Sequence, residues 1–136
     1  DLLVQGSVEA MVTEARLAAM AAGALTGGRF LGLKDGRGRV FPVRRDSEGR
    51  TSIANAVETC LIDRLPRIAG TGIAAVAIDA RGRGPRYAGE MAGLYRAGLD
   101  AVGRGAPGTL SALKEEARRR ALGGITGGHF VRGIEE

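Results

Sequence analysis

The sequence has one cysteine, Cys60, one histidine, His129, and no tryptophan. A single cysteine excludes a disulfide framework and any metal site built only from cysteines of one chain. Aromatic residues make up only 4% of the chain, which leaves few side chains for stacking on nucleic-acid bases. No apolar run approaches the roughly 18 residues of a membrane-spanning helix, and we therefore expect no membrane partner. Lysine is scarce too, since only Lys34 and Lys114 among the 20 basic residues are lysines.

What remains is the composition of one globular domain. The chain has 136 residues, 44% of them hydrophobic and 26% charged, which favours a single domain over residues 1–136. The net charge of +5 and the pI near 10.3 suit a nucleic-acid partner, although the arginines are scattered. The lone cysteine is compatible with a reducing compartment, and we expect a cytoplasmic protein. The sequence opens on an apolar run without a basic leader, so we interpret it as a fragment rather than a signal peptide.

The first half of the chain predicts a strand, a helix and a small β insertion. Residues 2–4 form an apolar strand ended by Gly6, and residues 8–24 carry apolar side chains at helical spacing. Asp35-Gly36 stands between two apolar runs, which is a strong hairpin signal. Pro42 in the second run predicts an edge strand, because proline donates no hydrogen bond to a ladder. With a third strand at residues 50–54, the antiparallel insertion covers about residues 29–55.

The second half predicts an α/β unit. Residues 57–69 are predicted to form an amphipathic helix bent near Pro66, and residues 73–78 are an apolar run typical of a strand buried on both faces. A long helix is predicted from Pro85 to about residue 102, with Met91 and Leu99 on its buried face, and another at residues 111–122. The glycine-rich tail is predicted to return as a short strand. This order favours an α/β fold in which residues 2–4 and 73–78 are neighbouring parallel strands.

The best polar position in the sequence follows the buried strand. Asp79 and Arg81 come directly after residues 73–78, and ligands of parallel α/β folds bind beyond the carboxyl ends of strands. The alternative interpretation of this pair is a helix cap and a surface salt bridge. Arg50 and Asn55, beyond the hairpin insertion, are weaker candidates for substrate binding. His129 is a third, because the glycines around it allow a close backbone approach to a ligand.

Nucleophilic catalysis has one candidate residue, Cys60, with His129 as its base. Cys60 precedes two apolar residues at the start of a predicted amphipathic helix, where a buried and inert cysteine is the commoner case. The sequence contains no GxSxG, Walker, HExxH or CxxC pattern. We therefore predict no metal site and leave the catalytic residues unknown, with Asp79 and Arg81 as the candidates.

Seven segments, taken in order, resemble motifs of one known family, the peptidase U32 or collagenase-like protease family. These segments are Asp1-Leu2-Leu3-Val4-Gln5-Gly6 with Met11-Val12, Leu33-Lys34-Asp35-Gly36-Arg37-Gly38 with Phe41-Pro42-Val43, Arg50-Thr51-Ser52-Ile53-Ala54-Asn55-Ala56, Glu58-Thr59-Cys60-Leu61-Ile62-Asp63, Ile78-Asp79-Ala80-Arg81, Leu94-Tyr95-Arg96-Ala97-Gly98-Leu99-Asp100 and Thr126-Gly127-Gly128-His129-Phe130. The resemblance implies that residues 1–136 are the later part of a family domain with a TIM-barrel-like parallel α/β core.

The resemblance also implies an activity and a cofactor. The family carries a peptidase label, and its better-understood members look like oxygen-independent hydroxylases of RNA bases or quinone precursors with a four-cysteine iron–sulfur cluster. The first two ligand positions fall near Val8 and Ala15, a third should follow among residues 23–32, and none of these is cysteine. We therefore expect no iron–sulfur cluster and no other cofactor in this chain.

Two functions are compatible with these residues. The first is a U32 peptidase-like domain, labelled a protease, that has no peptidase activity as this isolated chain. The second is a cofactor-less relative of the hydroxylases that acts as a binding or scaffold subunit. We expect a peptide or RNA substrate, and either a homo-oligomer or a place in a larger chain.

Overall fold

The computed structural model describes residues 1–15, 31–45 and 47–132, which form a mixed α/β structure with two sheets. The elements in chain order are β1 (Leu2–Gly6), β2 (Glu9–Thr13), β3 (Leu31–Lys34), β4 (Val40–Arg45), β5 (Thr51–Ala54), β6 (Glu58–Cys60), α1 (Leu65–Ala69), β7 (Val76–Ile78), α2 (Gly84–Gly103), α3 (Leu110–Arg120), β8 (Ile125–Thr126) and α4 (Gly128–Arg132). Short 3₁₀ turns at Ile62–Arg64 and Pro107–Thr109 lead into α1 and α3. No helix in the described ranges has the length and apolar character needed to cross a bilayer.

The first sheet has the strand order β7-β1-β6-β8. β1 pairs with β7 in parallel, with Leu2 opposite Val76 and Leu3 opposite Ala77, which confirms that the two predicted strands are neighbours. β6 is antiparallel to β1 and parallel to β8. β7 is shorter than predicted and lies at the edge of the described sheet, so Ile73 is exposed and the strand is only half-buried. The interpretation of residues 73–78 as a strand buried on both faces is therefore wrong.

The second sheet is antiparallel, with the order β2-β5-β4-β3. The predicted hairpin is confirmed: β3 and β4 pair around a turn in which Asp35 Oδ1 accepts hydrogen bonds from the backbone N–H of Arg37 and of Arg39, both at 2.9 Å. Pro42 was expected on an edge strand, but β4 lies inside the sheet between β3 and β5. The ladder with β5 begins one residue later, at Val43, so the missing N–H of the proline removes no bond from it.

Two predicted helices are strands over part of their length. Residues 8–24 were expected to be helical, but β2 pairs with β5 in the register Val12 to Ser52 and Thr13 to Thr51. The rest of that segment, residues 16–24, lies outside the described residues, as do residues 29–30 of the insertion. Residues 57–69 were predicted as one helix, yet they begin with β6, and the helix is limited to α1, which has a proline in its first turn. In both places, pairing with a strand distant in the sequence determines the conformation, and the helical spacing of the apolar residues does not.

The core lies between the first sheet and helices α2 and α3. α2 has nearly the predicted bounds and buries Tyr87, Met91 and Tyr95, whereas Leu99, predicted on the same face, is exposed. The core continues through a set of buried residues from other elements, namely Val4, Cys60, Ile62, Leu65, Ile68, Leu110 and Ala117. The tail returns as predicted through β8 and then forms α4.

Candidate functional site

Asp79 lies where β1 and β7 both end, at the carboxyl edge of the first sheet. Its backbone N–H donates a 2.8 Å hydrogen bond to the carbonyl oxygen of Gln5. Gly6, at φ +126°, packs directly against the Asp79 carbonyl, and a Cβ at this position would collide with it. Glycine is therefore required here both for the backbone conformation and for the close approach of the two strand ends.

Asp79 and Arg81 form a two-point contact through their side chains. Asp79 Oδ1 accepts from the backbone N–H and the Nε of Arg81 at 3.0 and 2.9 Å, and Oδ2 accepts from Nη2 at 2.7 Å. The side chain of Asp79 is 9% exposed and that of Arg81 is 68% exposed. Burial opposes ionisation of Asp79, but the hydrogen bonds and charge of Arg81, helped by Arg44, hold its pKa below the usual value.

Arg44 is a third member of this site, and sequence reasoning missed it. It lies on β4 of the second sheet, with Nη1 at 3.6 Å from Asp79 Oδ2 and a side chain only 16% exposed. Its Nε and Nη1 atoms are buried without a hydrogen-bond partner among the described residues. Nothing in the local sequence distinguishes Arg44 from the neighbouring arginine, because only the packing of one sheet on the other brings it to Asp79.

The Asp79 cluster can orient a ligand but is poorly suited to proton transfer. A carboxylate with a lowered pKa stays ionised near neutral pH and is a weak base. The alternative interpretation as a helix cap is wrong, because α2 begins after Arg83 and no side chain caps it. The salt bridge that the same interpretation included is confirmed, between Asp79 and Arg81.

A second polar cluster is buried behind the sheet and was also missed. Glu58 on β6 is 1% exposed, and its Oε2 accepts hydrogen bonds from Tyr87 OH at 2.5 Å and from Gln5 Nε2 at 3.1 Å. Glu58 Oε1 forms an ion pair with Arg83 and accepts from the backbone N–H of Leu122 at 3.0 Å. Burial raises the pKa of Tyr87, so this phenol remains a hydrogen-bond donor. Side chains alternate between the two faces of a strand, so Glu58 lies on the same buried face of β6 as Cys60.

Cys60 is buried and inert, as the favoured interpretation held. It is 1% exposed at the end of β6, and burial raises the pKa of its thiol. Its sulfur lies 4.0 Å from the hydroxyl of Tyr95. A neutral, enclosed thiol is a poor nucleophile, so this geometry does not support a catalytic role for Cys60.

One of the predicted binding residues, Asn55, lies at a cleft. This cleft has a volume of about 550 Å³. Asn55 lines it, and so do Gly128 and Phe130 on either side of His129 in α4. Asn55 is positioned by its backbone N–H, which donates to the carbonyl of Val8 at 2.8 Å. Arg50 does not line this cleft, and its exposed side chain lies 3.1 Å from Glu48.

The residues present do not fit the iron–sulfur cluster that the resemblance implies. Val8 and Ala15, where ligand cysteines would fall, have no donor atoms in their side chains. Cys60 is enclosed in the core beside Tyr95. Within residues 1–15, 31–45 and 47–132, His, Cys, Asp and Glu side chains form no cluster of three or more that suits a metal ion.

Comparison with known proteins identifies the family. The family model described as Peptidase family U32 matches residues 30–135, more than three quarters of the chain. The chain belongs to Peptidase family U32. The resemblance seen in the sequence is thereby confirmed, and the matched part of this U32 chain contains Arg50, Asn55, Asp79 and Arg81. No curated protein and no solved structure matches the sequence of the U32 chain.

Proposed function

We propose that this chain is the substrate-binding part of a U32 peptidase-like domain, that it binds an extended peptide, and that it does not cleave peptides by itself. The observation that carries this proposal is the 550 Å³ cleft lined by Asn55, at the junction between β5 and β6. Ligand-binding clefts of this size combine apolar walls with a few polar groups that set orientation. Here the walls are Val57, Leu61 and Phe130.

The peptide preference rests on the strand that borders the cleft. Val8, Glu9 and Ala10 line it where β2 begins, and β2 is the terminal strand of the described second sheet. The free edge of such a strand presents backbone N–H and C=O groups that pair with an extended peptide. Thr59 and Asn55 add side-chain hydrogen-bonding groups within the cleft.

We expect no hydrolysis because the polar side chains that could catalyse it are held in ion pairs and hydrogen bonds or enclosed in the core. Amide hydrolysis requires an activated water or nucleophile and a stabilised oxyanion. Asp79 is held ionised by Arg81, and the carboxylate of Glu58 is occupied by Arg83 and by hydrogen bonds. Cys60 is enclosed in the core, where its thiol stays protonated. Asp79 and Arg81 are proposed to orient the substrate.

The experiment measures cleavage and binding together. The purified chain is incubated with gelatin and casein, with and without zinc, beside an Asp79→Asn, Cys60→Ala variant. We expect no cleavage by either protein. Turnover by the parent chain that disappears in the variant would show that the chain is a peptidase and overturn the proposal.

Binding is measured by fluorescence anisotropy with labelled casein peptides. Asn55→Ala is expected to weaken binding about five-fold, since a hydrogen bond contributes about 1 kcal/mol. Ser111→Ala, an exposed polar change on α3, is the matched control and should have no effect. Equal binding by the parent and Asn55→Ala would contradict the assignment of the cleft.

A second candidate function is an RNA-binding or scaffold subunit without a cofactor. The observation in its favour is the net charge of +5, together with the exposed arginines Arg118 and Arg119 at the end of α3. Each of these two arginines pairs with a glutamate on the same helix. Filter binding of RNA at several salt concentrations tests this function, because phosphate contacts give a steep fall of affinity with salt.

We also propose that the complete domain has a TIM-barrel-like core and that this chain self-associates. The parallel pair β1–β7, followed by α2, supports a barrel built of repeating strand and helix units. β7 has β1 as its partner on one side and no described strand on the other, and an open edge favours pairing with another chain. Sedimentation at high dilution tests the association, and a monodisperse monomer would contradict it.

A further inference from the structure

A second cleft adjoins the proposed peptide site. It has a volume of about 490 Å³ and lies between the hairpin turn that joins β3 to β4 and the loop after α3. Val57 lines both clefts, so the two cavities are neighbours. We call this second cavity the hairpin cleft. The combined volume of the two cavities is large enough for several residues of a peptide.

The floor of the hairpin cleft is apolar, and two of its residues, Val40 and Leu122, are exposed while Pro42 is buried. Val40 and Pro42 are two residues apart on β4 and therefore share one face of the strand. Leu122 faces them from the loop after α3, and both Val40 and Leu122 are exposed large hydrophobic residues. This loop is held in place, because the backbone N–H of Leu122 donates to the buried carboxylate of Glu58. The floor is thus a preformed surface for an apolar side chain.

The rim of the hairpin cleft is positively charged. Arg39 is held by Asp35, with Nε at 2.7 Å from Oδ2, and its guanidinium stacks 5.7 Å from the centre of the Phe41 ring. Arg37 lies beside it in the turn, and its guanidinium has no charged or hydrogen-bonding partner among the described residues. The turn therefore presents the charge of Arg37 next to an apolar floor.

We propose that the hairpin cleft binds an aspartate or glutamate side chain of the peptide beside an apolar residue, so that the substrates are acidic peptides. This inference rests on the proposed peptide-binding function. Arg37 supplies the charge that complements the carboxylate, and the exposed side chains of Val40 and Leu122 cover the neighbouring apolar side chain. The cleft favours a peptide over RNA, because its lining includes no aromatic side chain on which a base stacks.

The experiment compares two pools of fluorescein-labelled octapeptides derived from casein. In the second pool every aspartate and glutamate is replaced by asparagine or glutamine, which keeps the shape and removes the charge. The dissociation constants of both pools are measured for the parent chain, for Arg37→Gln and for Arg118→Gln. The last variant is the matched control, because Arg118 is an exposed arginine on α3, outside both clefts.

We expect the parent to bind the acidic pool about three-fold more tightly at low salt, as exposed ion pairs allow, and the preference to shrink at high salt. Arg37→Gln should remove the preference for the acidic pool, whereas Arg118→Gln should keep it. If the parent binds both pools equally, or Arg37→Gln keeps the preference, the inference is wrong while the peptide-binding function stands. If neither pool binds, both are wrong.

Discussion

Replacing Arg83 by methionine is the sharpest test of the buried Glu58 cluster. The guanidinium of Arg83 pairs with Glu58 and donates to the carbonyl of Arg120 at 2.5 Å, while its plane lies 4.0 Å from the centre of the Tyr87 ring. Methionine keeps the packing over this ring but removes the charge. Glu58 would then be a buried carboxylate without a counter-ion, held only by hydrogen bonds from Gln5, Tyr87 and the Leu122 amide.

Breaking a buried pair by removing one partner costs about 3–5 kcal/mol. For a chain of this size, roughly 4 °C of melting temperature corresponds to 1 kcal/mol, so the expected fall is about 12–20 °C. Adding Glu58→Gln to Arg83→Met should recover part of this loss, because glutamine has nearly the same shape and no charge to leave unpaired. Thermal unfolding followed by circular dichroism measures the parent chain and both variants.

Arg86→Met is the control for this experiment. Arg86 precedes Tyr87 on α2 and pairs with Glu90, but its side chain is 90% exposed. An exposed pair of this kind contributes about 0.3–0.5 kcal/mol, so the melting temperature should fall by about 2 °C at most. If Arg83→Met destabilised the chain no more than Arg86→Met does, the assignment of a buried ion pair to Glu58 would be refuted.

Three further predictions concern a glycine, an acid and the family cofactor. Gly98→Ala should destabilise the fold by about 1–3 kcal/mol, because its Cβ would lie 2.7 Å from Leu65 Cδ1. Gly89→Ala on the same helix meets no atom within 4 Å and should stabilise the fold by about 0.5–1 kcal/mol. Urea unfolding that ranks the two variants in the opposite order would contradict the packing. Asp79→Asn should destabilise the chain at pH 7, and its difference from the parent in unfolding free energy should shrink as the pH falls below about 4. The reason is that a pKa lowered by folding gives stability that is present above the pKa of the unfolded chain and lost when Asp79 is protonated. A difference that is the same at pH 2 and pH 7 would argue against an ionised Asp79. Anaerobic reconstitution with iron and sulfide should give no visible absorption of a cysteine-bound cluster; one cluster per chain, lost on Cys60→Ala, would overturn this expectation.

The elements that the sequence predicted well are those whose signals are local. The Asp35-Gly36 turn fixes its hairpin through hydrogen bonds within five residues, and the proline near the start of α2 marks where that helix begins. β2 was mistaken for part of a helix because its segment is rich in alanine, glutamate and methionine, and β6 because the apolar residues that follow it recur at helical spacing. Their strand conformation is fixed by β5 and β1, which pair with them across the chain.

The candidate site was predictable only in part, for a similar reason. Asp79 and Arg81 were found because a polar pair after an apolar strand is a local pattern with a known place in α/β sheets. Arg44 and Glu58 depend on contacts with residues that are 35 and 53 positions away. Burial of a charged residue is a property of the packed fold, and the sequence carries no reliable sign of it.

The bond between Leu122 and Glu58 links a surface loop to the interior of the protein. The side chain of Leu122 is exposed, yet its amide hydrogen points to a carboxylate that water does not reach. For that hydrogen to exchange with solvent deuterium, its bond to Glu58 must first break. The exchange rate of the Leu122 amide therefore reports how firmly this loop is held to the buried cluster, and it should be slower than is usual for an amide in an exposed loop.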